Sequence, residues 1–310
     1  MAVMISQKGT LDQDILQTRL RYDEPLAHHT SLRIGGPADL FVVAESEGEL
    51  LALVSLAREQ GMDFLLLGSG SNVLVSDRGV RGLVILNRAS EARFIPQKSG
   101  SILHAASGVL LSHLARQAVR QELGGLEWAA GIPGTLGGAI VQNAGAYGSC
   151  MADVVREVRI VDWEGLVRRL SPEELSLGYR TSRFRGEAVN PPEVILSAEL
   201  MLRSRPQDEL RSRMADYFAR RRATQPSLPS VGSVFKNPPG DYAGRLIEAA
   251  GLKGMRQGDA MIAPDHANFI VNVGNARASD VKTLIDQARR AVAQRFGGEL
   301  KLEIQLVGEW

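Results

Sequence analysis

The chain has 310 residues, a net charge of +1, 44% hydrophobic residues and 23% charged residues. This balance is ordinary for a globular protein, suggests about two domains by length, and gives no push toward nucleic acid or a membrane surface. The single cysteine, Cys150, excludes an internal disulfide and a cysteine-held metal cluster. It also fits a reducing compartment. No apolar stretch approaches the ~18 residues of a membrane span or forms the core of a signal peptide, so a cytoplasmic protein is expected.

Residues 1–24 are mixed and polar, and Ile15, Leu16 and Leu20 suggest a short amphipathic helix. In HTSLRIGGPADLF, residues 29–41, Gly35, Gly36 and Pro37 precede a strand-like run over 40–43. Leu50, Val54 and Ala57 recur at helical spacing over 47–60, and Gly61 stands where a C-cap belongs. Residues 64–67 read as a short buried strand that runs into GSGSN, residues 68–72. Such a turn gathers N–H donors and hydroxyls and suits phosphate oxygens, although read alone it is equally an ordinary serine-rich turn. It is not a dinucleotide fingerprint of the Rossmann kind. Val73 occupies the place of the third glycine, and residues 73–75 look extended rather than helical.

Residues 78–86 read as a turn and a strand, and 109–122 as a helix with Leu110, Leu111, Leu114, Ala118 and Val119 inward, stopped by Gly124 and Gly125. The stretch around which the chain is organised follows: GIPGTLGGAIVQNAGAYG, residues 131–148, with six glycines in eighteen residues. Glycine at that density lets backbone turn sharply and approach a ligand closely. Pro133, Ile140 and Val141 argue against a flexible linker. The reading is a rigid loop facing something flat or anionic, with a purely structural turn as the alternative.

Residues 154–161 and 194–202 are strand-like, with GYRTSRF at 178–184 between them. A boundary is expected at 203–210, followed by a helix carrying Leu210, Met214 and Phe218 and ending in Arg220, Arg221 and Arg222. Those arginines suit a diphosphate or, equally, a solvated helix end. SVGSVFKNP spans 230–238, a helix capped by Asp241 runs through Ala250, and a strand ends near Val273. A long helix runs from Ser279 through Phe296. A last strand, KLEIQLV, puts Leu302, Ile304 and Leu306 on one face and Lys301, Glu303 and Gln305 on the other.

Taken together, TSLRIGGPADLF, LGSGSNVLV, GLEWAAGIPGTLGGAIVQNAGAYG, GYRTSRF, GSVFKNP, AGRLIEAAGLKG, HANFIVN and LKLEIQLVG resemble, in order, the motifs of the MurB family of UDP-N-acetylenolpyruvoylglucosamine reductases. The resemblance covers nearly the whole chain from about residue 25. It implies an α+β chain with a two-subdomain FAD-binding fold of the vanillyl-alcohol-oxidase (PCMH) type and a C-terminal α+β substrate domain. The expected division is a 1–24 extension, a 25–205 FAD-binding domain (subdomains about 25–87 and 88–205), and a 206–310 substrate-binding domain.

The implied activity is reduction of UDP-N-acetylglucosamine enolpyruvate to UDP-N-acetylmuramate, with noncovalent FAD and with NADPH as co-substrate. The two glycine loops would cradle FAD through Gly68, Ser69, Gly70, Ser71 and Asn72, and through Gly131, Ile132, Pro133, Gly134, Thr135, Gly137, Gly138, Ala139, Asn143, Ala144, Gly145 and Ala146. The reaction builds negative charge, which needs a fixed cation, and then needs a proton donor. The family's catalytic arginine, serine and glutamate fall on Arg180, Ser233 and Glu303, and Tyr179, Lys236 and Asn237 are implied substrate contacts. Read alone, these are a surface charge, a turn hydroxyl and an exposed carboxylate.

Two departures stand out. His29 replaces the Asn common in the first motif, and the short stretch between Arg180 and Ser233 matches the compact subclass that lacks an inserted tyrosine segment. The five histidines, His28, His29, His104, His113 and His266, have no metal-type spacing, so no metal is expected. Partners are expected to be the small-molecule substrate alone, without nucleic acid or membrane, and the protein a monomer. The competing readings are another FAD oxidoreductase on the same fold, acting on small alcohols or sugars, and a flavin- or nucleotide-binding protein without chemistry.

Overall fold

The computed structural model describes residues 19–186 and 189–310. The proposed helix around Ile15 and Leu16 lies outside the described residues. The first unit contains β1 (Arg21–Pro25), β2 (Pro37–Ala44), α1 (Glu47–Glu59), β3 (Phe64–Leu67), β4 (Val73–Val75) and β5 (Val80–Asn87). Its sheet has the order β1-β2-β5-β3, with β2 and β3 both parallel to β5. Parallel strands covered on both faces read as continuous apolar runs, which is why FLLL carries no alternation. One face packs on α1 through Leu50, Leu53, Val54 and Phe64; the other buries Phe41, Leu65, Leu67 and Val84. The α1 helix begins at Ser46, whose hydroxyl accepts the Glu49 N–H, and stops before Gly61 at φ +60°.

The second unit contains β6 (Ala92–Gln97), β7 (Gly100–Ala106), α2 (Leu111–Arg120), β8 (Leu123–Gly124), α3 (Leu136–Val141), β9 (Gly145–Ala146), β10 (Ser149–Cys150), β11 (Val155–Val161), β12 (Val167–Leu170) and β13 (Val194–Ser204). Its antiparallel sheet runs β12-β11-β13-β7-β6, with β8 also on β13. Leu103, Leu114, Leu136, Ile140, Val158 and Leu200 share its core, so α2 and α3 cover the sheet. A helix, α4 (Gln207–Thr224), follows and packs against α2 and residues 127–129 of this unit.

The third unit contains β14 (Ser230–Ser233), α5 (Ala243–Ala249), β15 (Arg256–Gln257), β16 (Ala260–Ile262), β17 (Phe269–Asn272), α6 (Ala278–Phe296) and β18 (Gln305–Val307). The antiparallel order is β14-β17-β16-β15, and Val281, Leu284, Ile285, Ala288 and Val292 of α6 pack with Val234 and Ile270 in one core. β18 crosses back to pair in parallel with β4 of the first unit. Among the described residues no helix is long and apolar enough to cross a membrane, and no cluster of His, Cys, Asp or Glu could hold a metal.

Three local differences from the sequence reading have physical causes. Residues 131–148 contain a helical turn, α3, because Thr135 supplies an N-cap by accepting the Gly138 N–H at 3.4 Å. α5 starts at Ala243 with Tyr242 rather than Asp241 in the capping position; Asn237 Oδ1 takes the Ala243 N–H at 3.1 Å, while Asp241 receives the Tyr242 N–H. KLEIQLV is a strand only over Gln305–Val307. Before that, Leu302 bridges Phe235, and Ile304 is buried with Leu302 and Leu306 against the third-unit core.

Candidate active site

A cleft of about 450 Å³ lies where the three units meet. The C-terminal end of β3 delivers residues 68–72 to one wall. Among the described residues, the N–H groups of Ser69, Gly70, Ser71 and Asn72 have no acceptor within the chain, which leaves four donors in one turn. The loop is pressed from behind: a Cβ on Gly70, at φ +62°, would sit 2.2 Å from the His29 carbonyl oxygen. His29 itself stacks on Phe41 at 4.4 Å, and its Nε2 lies 2.7 Å from Glu24 Oε1, so its ring serves the first unit rather than the cleft.

The second glycine loop forms the facing wall. Gly68 and Thr135 meet so closely that a Cβ on Gly68 would lie 2.7 Å from Thr135 Oγ1. Ser71 Oγ also donates to the Pro133 carbonyl at 3.4 Å, which ties the two loops together. Ile132, Pro133, Gly134, Thr135, Gly137, Gly138, Ala139, Ala144, Gly145 and Ala146 all line the cleft. Gly131 and Asn143 do not. Gly131 packs beneath Arg221 and Phe218 of α4. Asn143, buried and at φ +40°, donates to the Gly178 carbonyl at 2.9 Å and accepts the Ala152 N–H at 3.0 Å, anchoring the 178–186 loop.

That loop carries Arg180, whose Nε lies 2.9 Å from Glu303 Oε1 and whose Nη2 donates to the Gly145 carbonyl at 2.8 Å. The Arg180 and Glu303 side chains retain only 24% and 17% exposure. Burial pushes the Glu303 carboxyl above its ordinary range, against the nearby charges of Arg180, Arg185 and Lys236. Burial likewise lowers the Lys236 ammonium, helped by Arg185.

Ser233, at the end of β14, lines the same cleft. Backbone bonds fix it relative to Glu303: the Glu303 N–H donates to the Val234 carbonyl at 2.9 Å, and Asn268 clamps Phe235 with Oδ1 at 2.9 Å and Nδ2 at 2.8 Å. The structure therefore brings Arg180, Ser233 and Glu303 to one cleft with both glycine loops. Tyr179, Lys236 and Asn237 sit outside the lining. Tyr179 is 58% exposed and its hydroxyl accepts the Asn237 N–H at 3.4 Å.

Comparison with known proteins places this geometry. Residues 38–171 match the FAD binding domain family, and residues 225–307 match the C-terminal domain of UDP-N-acetylenolpyruvoylglucosamine reductase. UDP-N-acetylenolpyruvoylglucosamine reductase 2 of Symbiobacterium thermophilum is 49% identical, covering 94% of this chain and 92% of its own. The Moorella thermoacetica reductase is 47% identical, with coverage of 95% and 96%. The chain belongs to the UDP-N-acetylenolpyruvoylglucosamine reductase family. The crystal structure of the family member from Thermus caldophilus superposes with a TM-score of 0.75 at 38% identity, covering 91% of this chain and 97% of that one. The fold is thus the α+β, two-subdomain FAD-binding type with a C-terminal α+β domain.

The cleft fits the family's dinucleotide. The free N–H donors of 69–72 suit a diphosphate, and the close approach of the two loops excludes side chains from the path between them. Gln142 lines the cleft with a buried Oε1 that has no partner among the described residues, as expected of an acceptor awaiting a ligand donor. Arg221, beside the Tyr147 hydroxyl, also lines the cleft, as do Gln225 and Gln305. Sequence reasoning noted the 220–222 arginine run without telling which member faces inward. Helix phase in a segment this polar gives no signal, and Gln142 and Gln305 sit inside motifs whose other residues drew the attention.

Proposed function

We propose that this reductase-family chain converts UDP-N-acetylglucosamine enolpyruvate to UDP-N-acetylmuramate with FAD and NADPH. The observation that carries the reading is the half-buried Arg180–Glu303 pair, 2.9 Å apart, opening on the same cleft as Ser233 and the two glycine loops. FAD, when bound, would supply hydride transfer between NADPH and the enolpyruvyl double bond. Residues 68–72 with Ile132, Pro133, Gly134, Thr135, Gly137, Gly138 and Ala139 would hold the dinucleotide, helped by Ala144, Gly145 and Ala146; Gly131 and Asn143 act from behind, as supports of the loop.

The protein's own groups do the rest. Hydride addition drives negative charge toward the substrate carboxylate, and the half-buried guanidinium of Arg180 is fixed at the cleft to meet that charge. The Ser233 hydroxyl protonates the adjacent carbon. Serine is a weak acid in water, so its competence depends on neighbours. Glu303, paired with Arg180 at 2.9 Å, helps to hold the enolate-like intermediate. Tyr179, Lys236 and Asn237 hold the substrate at the cleft mouth, and NADPH occupies the same cleft in alternation with substrate.

We read residues 25–205 as the FAD-binding part and 206–310 as the substrate-binding part, with α4 bridging them. The reading also includes a monomer and a cytoplasmic location.

The test separates the two half-reactions. Ser233→Ala holoenzyme should still bleach with NADPH, while return of colour with the enolpyruvyl substrate slows by about a hundredfold, the scale of losing a general acid. Transfer at the wild-type rate would remove Ser233 from the mechanism. A yellow wild-type protein that stays bleached with substrate would move the activity to another flavin enzyme.

A further inference from the structure

Arg180 has two duties in the reading above. It pairs with Glu303 at 2.9 Å, and it must also meet the negative charge that builds on the substrate. When it turns to the substrate, Glu303 loses part of its partner at the moment its carboxyl matters. A second cation stands behind Glu303. Arg185 donates from Nη2 to the Glu303 carbonyl at 2.8 Å and to the Leu302 carbonyl at 3.5 Å. Among the described residues its Nη1 is buried without a partner, and no acid pairs with it within ion-pair distance. The Glu303 carbonyl also accepts from Asn72 Nδ2 at 3.2 Å, so one oxygen joins the phosphate-type loop, the 178–186 loop and the glutamate. A guanidinium that ends among backbone carbonyls with a spare buried N–H is placed to hold that segment of chain and to project charge without being consumed in a salt bridge.

We propose that Arg185 is a further positioning residue of the reaction. It fixes the Glu303 segment against the dinucleotide loop and supplies a standing positive charge that favours the ionised Glu303 carboxylate while Arg180 serves the substrate. The inference rests on the assignment of Glu303 to the reaction. The charged groups facing that carboxyl are Arg180 and Arg185 from the 178–186 loop and Lys236 from the segment after β14. Lys301 lies on its own segment and adds to the positive field around Lys236. Removing one of these cations moves the carboxyl further up.

The test compares wild-type, Glu303→Gln, Arg185→Met and Arg185→Lys holoenzymes in single-turnover transfer to the enolpyruvyl substrate across pH. Glu303→Gln identifies the pH limb that belongs to the glutamate. In Arg185→Met that limb should shift upward by about half a pH unit or more. Transfer should fall at least tenfold, while bleaching by NADPH stays within twofold of wild type. Arg185→Lys, which keeps the charge, should return the limb to within a few tenths of a unit of wild type. The same shift should appear in the pH dependence of the spectral change when substrate binds oxidised holoenzyme, a readout that involves no turnover.

A limb unmoved in Arg185→Met, or equal losses in bleaching and transfer, would reduce Arg185 to a structural strap and overturn the proposal. If Arg185→Met does not take up FAD, the lysine variant decides: a limb displaced despite the retained charge also overturns it. A wild-type profile with no limb that Glu303→Gln removes would instead bring down the assignment of Glu303, and this inference with it.

Discussion

At the scale of single residues, Gly68 is where the two glycine loops press directly on each other. Its neighbour across the loops is Thr135, with Oγ1 2.7 Å, Cγ2 3.2 Å and Cβ 3.5 Å from any added methyl group. Gly68→Ala should therefore push the loops apart and weaken FAD retention, measured by dilution and gel filtration. Thr135→Ala leaves only the 3.5 Å contact, which is ordinary packing. The double variant should hold FAD better than Gly68→Ala alone, although it loses the α3 cap; additive losses would show that crowding is not the cause. Glu303 gives a pH prediction with a definite sign. Its folded value lies above the ordinary 4.5, so folding disfavours its ionised form. That cost is absent below pH 4.5, grows as pH rises, and is complete above the folded value. Whatever the offset between Glu303→Gln and wild type, their melting temperatures should therefore diverge upward in favour of the variant across that window. A flat difference would mean that the carboxyl is not held up by burial. The roles proposed for Arg180, Ser233 and Glu303 came from motif resemblance, because each side chain by itself is commonplace. What sequence could not reveal is which neighbours surround them: Arg185 is one arginine among several in GYRTSRFR until Glu303, more than a hundred positions away, is placed against it.

Among the elements, α6 shows how a distant residue can finish a helix. Its N-terminal N–H groups, on Ala278 and Ser279, donate to Asp77 Oδ1 and Oδ2 at 2.7 and 3.0 Å from the loop between β4 and β5. Local sequence suggested that Ser279 and Asp280 begin the helix. Asp280 does close a local box on the Arg277 N–H at 3.0 Å, but Asp77 is invisible from there. Partial burial pushes the Asp77 carboxyl up, and the N–H groups of Ser279 and Ala278 outweigh it and hold it below the ordinary 3.8. Asp77→Ala should cost about 1 kcal/mol, the usual scale of a lost cap, in urea unfolding at neutral pH. Because the folded value is depressed, the contribution is present above pH 3.8 and lost as pH falls through the folded value, so wild type and variant should converge there. A gap that persists in acid would assign the loss to packing instead. Most helices and the buried strands were legible from periodicity and glycine stops. The hairpin of β6 and β7 was passed over because β6 is exposed along most of its length and lacks a clean alternation. The helical turn at 136–141 was hidden by glycines that usually argue against helix.

At the scale of the whole molecule, the boundary drawn near residue 205 crosses shared cores. Leu32, Ile34 and Leu74 come from the first unit yet pack with Val234, Ile270 and Leu284 in the core of the third. Val307, from the C-terminal end, lies in the core beneath β2 and β5. The chain crosses in both directions, since β18 pairs with β4 and the Ser76 N–H donates to the Val307 carbonyl at 2.9 Å. Domains joined only by a polar interface tend to unfold separately, whereas halves that complete each other's cores lose both when either opens. Calorimetry of the FAD-free protein should therefore give one transition, with the van't Hoff and calorimetric enthalpies equal. Leu74→Ala tests the coupling directly. The side chain is fully buried, and its loss should cost about 2–5 kcal/mol. If the cores are one cooperative unit, that loss lowers the whole transition without splitting it. A variant that melts in two steps, with the first-unit step unmoved, would mean that the C-terminal part is an independent domain resting on its neighbour. The cleft between them would then be held by contacts far weaker than the shared packing implies.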